Sequence, residues 1–230
     1  MLALRSARPA RVLVSSIARR TLADSAATAK RDVVFVDGVR TPFLTSGTSF
    51  ADYIAQDLAR FAVKGLLTKT ALDPSTVDQV IMGTVIQEVR TSNIAREAAL
   101  AAGIPDTVPA HTVTMACISS NAAIADCAAH ILCGRGDIMI AGGAETMSDV
   151  PIRFSRSMRK RFLAATKMRK PQEYLKLLHG LKAKDLAPEA PAIAEFSTGE
   201  TMGQSSDRLA SRWGVTREEQ DAFALRSHQK

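Results

Sequence analysis

Four short apolar runs, DVVFVDG (32–38), QVIMGTVI (79–86), HTVTMA (111–116) and DIMIAGG (137–143), alternate with stretches whose apolar residues recur at helical spacing. This alternation constrains the fold more than any other feature of the chain. The runs are apolar at successive positions, which suits strands covered on both faces. Helices between them imply right-handed crossovers and a parallel sheet with helices on either side. The fold class is therefore α/β. In SFADYIAQDLARFAVKGLL (49–67), Ile54, Leu58, Phe61, Ala62 and Leu66 define a stripe, and Ser49 reads as the N-cap. Asp73-Pro74 is a cap followed by proline at a first helical position. SNIAREAALAAG reads as a helix ended by Gly103. CISSNAAIADCAAHILCG reads as a longer one ended by Gly134, whose many small residues predict burial on most sides.

The 230-residue chain carries a formal net charge of +7, but unevenly. Residues 1–30 hold six Lys/Arg and one acid, and residues 153–184 hold eleven Lys/Arg and only Glu173 as an acid. The rest is net acidic, which is not how a general nucleic-acid binder is built, so no nucleic-acid partner is expected. The first segment, with Arg5, Arg8, Arg11, Arg19 and Arg20 and no acid before Asp24, has the composition of a mitochondrial transit peptide. Three parts follow: a transit peptide over 1–30, a core over 31–150, and a region over 151–230 with a basic amphipathic insert at 153–184. In that insert Phe154, Met158, Phe162, Ala165 and Met168 fall on one helical face, flanked by Arg156, Arg159, Lys160, Lys167 and Lys170. Beyond Pro171, Tyr174, Leu177, Leu178 and Leu181 repeat the pattern, with Lys176, Lys182 and Lys184 alongside. An apolar stripe with basic flanks is the pattern of a helix lying in an anionic membrane interface, or of a docking face for a partner subunit. Thr216 and Glu219 form a capping box for a last helix that reaches Lys230 without a stop signal.

Among the residues that could carry chemistry, Cys117 stands where a strand turns into a helix. Free N–H groups and the positive dipole end there stabilise a thiolate and can hold an oxyanion. A lone cysteine is equally a small buried hydrophobe, and on position alone both readings stand. Cys127 and Cys133 lie within or at the end of the following helix and read as packing residues. With no CxxC pair and an odd count, the three cysteines suit neither a disulfide scaffold nor a zinc site. His111, His130, His179 and His228 have no ligand spacing. Gly142 and Gly143 at a strand end mark a tight turn or a close backbone approach. No GxGxxG or P-loop is present.

VRTPF, NIAREAALAAGIP, MACISSNAAI, AGGAETMS and TGETMGQSSDRLASRWGVTREEQDAFALRSHQK resemble the thiolase family in order and spacing, over residues 31–230. The resemblance implies a thiolase-like layered fold, αβαβα in a complete enzyme, here its N-terminal half with part of the loop domain. It implies an acetyl-CoA C-acyltransferase of mitochondrial fatty-acid β-oxidation. In that reaction Cys117 attacks a 3-ketoacyl-CoA, with its backbone N–H as an oxyanion donor, and coenzyme A takes the acyl group. Coenzyme A is then a co-substrate, with no metal or prosthetic group. Expected partners are acyl-CoA and CoA, the hydratase/dehydrogenase alpha subunit of a β-oxidation complex, further copies of the chain, and an anionic mitochondrial membrane contacted through 153–184. The expected location is the mitochondrial matrix side, peripheral to the inner membrane. The family's activating His, its Asn-His pair and its second Cys lie in NxxGG-x-GHP and CxGGG-type motifs that these 230 residues do not contain. The resemblance therefore implies a truncated product, isoform or partial gene model, and the alternative is a catalytically incomplete truncated fragment or isoform with only assembly or binding capacity.

Overall fold

The computed structural model describes residues 31–177 and 179–230, in two compact units divided along the chain after Thr146. Residues 1–30, with the expected transit peptide, and Leu178 lie outside the described residues.

In the first unit, α1 (Ala55–Thr70) and a 3-10 turn (Pro74–Thr76) precede β1 (Gln79–Gly83). There follow α2 (Ile94–Ala102), β2 (Ala110–Val113), α3 (Ser119–Leu132) and β3 (Met139–Gly143). The three strands form a parallel sheet in the order β2-β1-β3, with Val80 opposite both Ala110 and Ile140. Successive side chains of a strand point to opposite faces, and β1 uses both. Val80 and Met82 join Ala59 and Val63 of α1 and Ala95, Ala98 and Ala99 of α2 on one face. Ile81 packs with Ala123 and Cys127 of α3 on the other. The central strand is thus buried on both sides, as its unbroken apolar run predicts.

Side chains set the ends of these elements. Asp73 accepts the Ser75 N–H at 2.9 Å, opening the 3-10 turn at the Asp-Pro step. Asn93 caps α2 by accepting the Arg96 N–H at 3.2 Å, and Gly103 ends it in the left-handed region at φ 96°. Arg96 then donates to the carbonyls of Asp106 and Val108, both at 2.8 Å, folding the connection to β2 back on the helix.

The structure corrects four expectations in this unit. Residues 32–38 are not a strand. Their apolar side chains are exposed (Phe35 86%, Val36 83%), and the segment is tied down by ion pairs, Arg31 with Asp137 and Lys69 with Asp37. An apolar run becomes a strand only where a neighbour offers a backbone ladder, and this one pairs with neither edge of the described sheet. Ser49 is not the cap of α1. Residues 48–53 fold into turns, and the helix begins after Ile54, whose N–H is accepted by Asp57 at 3.4 Å. The buried stripe of α1 is Ala55, Leu58, Ala59, Val63 and Leu67, rotated from the expected one. Phe61 is drawn off it by an edge-on contact with Tyr53, ring centroids 5.2 Å apart. Finally, α3 is buried along one face only, at Ser119, Ala123 and Cys127. Ile124 and Leu132 on its outer side are 55% and 56% exposed, so its small residues serve close approach to the sheet rather than burial all round.

In the second unit, an antiparallel bridge joins Arg153 to Glu189, and α4 (Arg156–Ala165) starts at a Ser155 cap. Phe154 packs edge-on against Phe162 at 5.0 Å. The amphipathic pattern is only partly helical. The helix ends at Ala165 in turns through Met168, so Phe154 and Met168 lie outside it. Beyond Pro171 the pattern resolves into one short helix, α5 (Pro171–Tyr174), and a 3-10 turn (Leu175–Leu177), before Gly180 adopts φ 66°. Proline starts but cannot continue such a run, and the left-handed glycine stops it. Arg159 is held by Glu189 at 2.6 Å, and Arg161 donates to the His179 carbonyl at 2.9 Å. Helices α6 (Met202–Trp213) and α7 (Arg217–His228) follow. The Thr216–Glu219 capping box forms in both directions, at 3.2 and 2.9 Å. No helix among the described residues is long and apolar enough to cross a membrane.

Candidate active site

Three chain segments meet at the carboxyl ends of the strands, where open parallel sheets commonly place their sites. They are the end of β1 (Gly83, Thr84, Val85), the turn from β2 into α3 (Ala116, Cys117, Ser119, Ser120) and the end of β3 (Gly143, Ala144, Glu145). Together they line a cavity of about 280 Å³.

The turn that carries Cys117 is tight. Ala116 lies in the left-handed region at φ 45°, uncommon for a residue with a Cβ, and such residues persist only where their surroundings hold them. Here the N–H groups of Ile118 and Ser119 donate back to the carbonyls of Met115 and Ala116, at 3.2 and 3.1 Å. The hydroxyl of Ser119 accepts the Met115 N–H at 2.8 Å and donates to Ala116 O, with Thr84 O also in reach at 3.3 Å. Ser119 is buried, so this one side chain ties both ends of the turn together out of water. Cys117 lies two residues before the first residue of α3, outside the helix proper, with its thiol exposed.

Two glycines let the start of α3 sit directly on the sheet. A Cβ on Gly83 would collide with the backbone of Ser119 and Ser120. One on Gly143 would collide with the Ser120 hydroxyl and stand 2.9 Å from Gly83 O. The close-approach reading therefore holds for Gly143, whereas Gly142 meets only the end of Met82, at 3.4 Å. Across the cavity, Glu145 accepts the N–H of Val85 at 2.7 Å and that of Ile86 at 3.3 Å.

The other candidates lie elsewhere. Cys127 is buried against β3, with its sulfur 3.8 Å from Ile140 O. Burial first, and the charge of Asp126 second, push its thiol up to about 11, so it stays protonated at neutral pH. Cys133 caps the far end of α3 and is exposed. His111 and His130 are joined through Gln79, whose amide nitrogen lies 3.1 Å from His111 Nδ1 and whose oxygen lies 2.6 Å from His130 Nδ1. Neither lines the cavity, and His179 and His228 are exposed residues of the second unit. No group of three or more potential metal ligands occurs among the described residues. The site residues missed in the sequence are Gly83, Thr84, Ser119 and Glu145. A serine two positions after the cysteine and an acid directly after AGGA were the available signals.

Residues 33–230 match the family model described as "Thiolase, N-terminal domain". The chain belongs to the thiolase family. It is 57% identical over 198 residues to the human "Trifunctional enzyme subunit beta, mitochondrial", covering 86% of this chain and 42% of that protein. It is 54% identical over 197 residues to a "Probable 3-ketoacyl-CoA thiolase" of Caenorhabditis elegans, covering 86% of this chain and 44% of that protein. Among solved structures, it resembles the Bacillus anthracis acetyl-CoA acetyltransferase with a TM-score of 0.65 at 29% identity, over 84% of this chain and 44% of that one. The thiolase-like α/β fold is thereby shown. The chain spans less than half the length of the curated relatives it matches.

Proposed function

We propose that this chain carries the nucleophile of a 3-ketoacyl-CoA thiolase of mitochondrial fatty-acid β-oxidation, and that the nucleophile is Cys117. The observation that carries this reading is an exposed thiol on a braced turn, facing a cavity at the carboxyl ends of a parallel sheet. The Cys117 thiolate attacks the C3 carbonyl of a 3-ketoacyl-CoA, with the Cys117 N–H as a donor to the oxyanion. The C2–C3 bond breaks, its electron pair stays on C2, and protonation there releases acetyl-CoA. The acyl group remains as a thioester on Cys117. The thiolate of coenzyme A attacks that carbonyl and restores the free Cys117 thiolate. Thioester chemistry supplies the electron sink, with coenzyme A as co-substrate and no metal or prosthetic group. In cells whose gene copy carries Cys117→Ala, thiolysis of 3-ketoacyl-CoA by mitochondrial extract is expected to be lost; undiminished thiolysis would contradict the proposal.

A second reading rests on the cavity walls. They offer one thiol and one carboxylate, and the carboxylate is engaged by backbone N–H groups. Thiolysis moves protons at both the nucleophile and C2, so it calls for bases beyond these walls. As an isolated polypeptide, residues 1–230 then bind or assemble rather than turn over.

The relatives' names and the local charge support a reading of the wider setting. Residues 1–30 act as a mitochondrial transit peptide. The mature protein works on the matrix side, with the alpha subunit of the trifunctional enzyme and with further copies of itself. The basic stretch 153–184 holds it peripherally on the anionic inner membrane. Lys160, Lys167 and Lys170 are exposed and available for that contact, whereas Arg159 is engaged by Glu189.

A further inference from the structure

The structure assigns Glu145 the role of a positioning residue that holds the Cys117 turn in place from across the cavity, through the segment Gly83–Ile86. The assignment rests on Cys117 being the nucleophile and adds the residue that fixes its geometry.

Glu145 follows the end of β3, and its carboxylate reaches over to the end of β1. One oxygen accepts the Val85 N–H at 2.7 Å, and both lie 3.3 Å from the Ile86 nitrogen. The Thr84 hydroxyl is a further donor at 3.5 Å. Hydrogen bonds from N–H groups to a carboxylate are stronger than neutral ones, so this is a clamp on one short segment. That segment is built against the nucleophile turn. Gly83 lies so close to Ser119 and Ser120 that no Cβ fits between them. Thr84 is buried, donates its N–H to Val113 O at 3.1 Å, and presents its own carbonyl to the Ser119 hydroxyl. Ser119 in turn braces Met115 and Ala116, the residues preceding Cys117. Any outward movement of 84–86 therefore removes the surface on which the turn rests. The left-handed Ala116 would then be free to relax and carry the thiol away from its place on the cavity wall.

Reach and charge can be separated. Glu145→Gln keeps the length but loses one acceptor oxygen and the charge. Glu145→Asp keeps the charge but is too short to span the gap. The assay is the pH profile of Cys117 alkylation by iodoacetamide in the full 230-residue chain, resolved by peptide mass mapping, with Cys133 as the internal reference. Both variants are expected to slow Cys117 about tenfold across the profile, on the scale of a lost hydrogen bond to a charged group. A purely electrostatic role predicts the opposite sign for Gln, because removing a nearby negative charge favours the thiolate, and no change for Asp; that pattern would overturn the assignment. Should either variant fail to fold, hydrogen exchange on the unaltered chain decides. The Val85 and Ile86 amides are expected to exchange at least about tenfold more slowly than unprotected amides, and exchange at the unprotected rate would overturn it. Cys117 reacting no faster than Cys133 in the unaltered chain would instead count against the nucleophile reading, with the exchange result still deciding Glu145.

Discussion

Cys117 and Cys127 stand ten residues apart, yet their surroundings leave one open to solvent and bury the other. The first is exposed on a turn; the second lies on the face of α3 that packs against the sheet, with its thiol pushed up to about 11. In the native chain near neutral pH, a thiol reagent is expected to label Cys117 and Cys133, and Cys127 only after denaturation. Rapid labelling of Cys127 in the native state would contradict its placement. Burial also links Cys127 to stability. Its thiol pKa rises on folding from 9.0 to about 11, so the folded state holds the proton more tightly. That contribution is fully present below pH 9 and is lost as pH rises through about 11. Replacing Cys127 by Ala is expected to flatten the fall in thermal midpoint across this window, measured against the unaltered chain. At this scale the sequence made the place of Cys117 legible, at the turn from β2 into α3, because an apolar run ends just before it and a helical stretch begins just after it. Glu145 was illegible, since its role lies in N–H groups sixty residues earlier in the chain, and only the parallel sheet brings these together.

The parallel strands and the helix α3 meet through glycine rather than through large side chains. Gly143→Ala would drive a methyl group into the Ser120 hydroxyl and toward Gly83 O. It is expected to destabilise the first unit by about 1–3 kcal/mol, the usual cost of overpacking, read as a lowered thermal midpoint. Gly142→Ala, which meets only the flexible end of Met82, should have the smaller effect. The strands β1, β2 and β3 were legible from their apolar runs, and the helices α2 and α3 from the stretches closed by the left-handed glycines Gly103 and Gly134. The segment 32–38 was not, because strand identity depends on a partner backbone that no local pattern reveals. The phase of α1 was misjudged for a related reason. Phe61 has the right spacing for the core stripe, but Tyr53 offers it an aromatic edge outside the core.

At the scale of the molecule, the charge distribution makes the setting testable. Flotation with cardiolipin-containing liposomes is expected to carry the chain at low salt, and less of it at high salt. Replacing Arg156, Lys160, Lys167 and Lys170 by Gln should weaken that binding, while sparing Arg159 leaves its ion pair with Glu189 intact. Equal flotation of both forms would mean that these charges do not drive attachment. Purified residues 1–230 alone are expected to show no thiolytic turnover of a 3-ketoacyl-CoA, because the parts of such a site act as a unit. Turnover near that of a complete thiolase would refute this. The family was legible in five motifs, whereas the basic insert was not legible as structure. Its amphipathic spacing is real, but α4 stops at Ala165, and beyond Pro171 only the short α5 and a 3-10 turn form before Gly180. The central claim, that Cys117 accepts the acyl group, is tested most directly by trapping protein from its native source with an acyl-CoA and mapping the acylated peptide by mass. The account predicts the acyl group on Cys117 within MACISSNAAI; label on Cys127 or Cys133 with Cys117 free would contradict it.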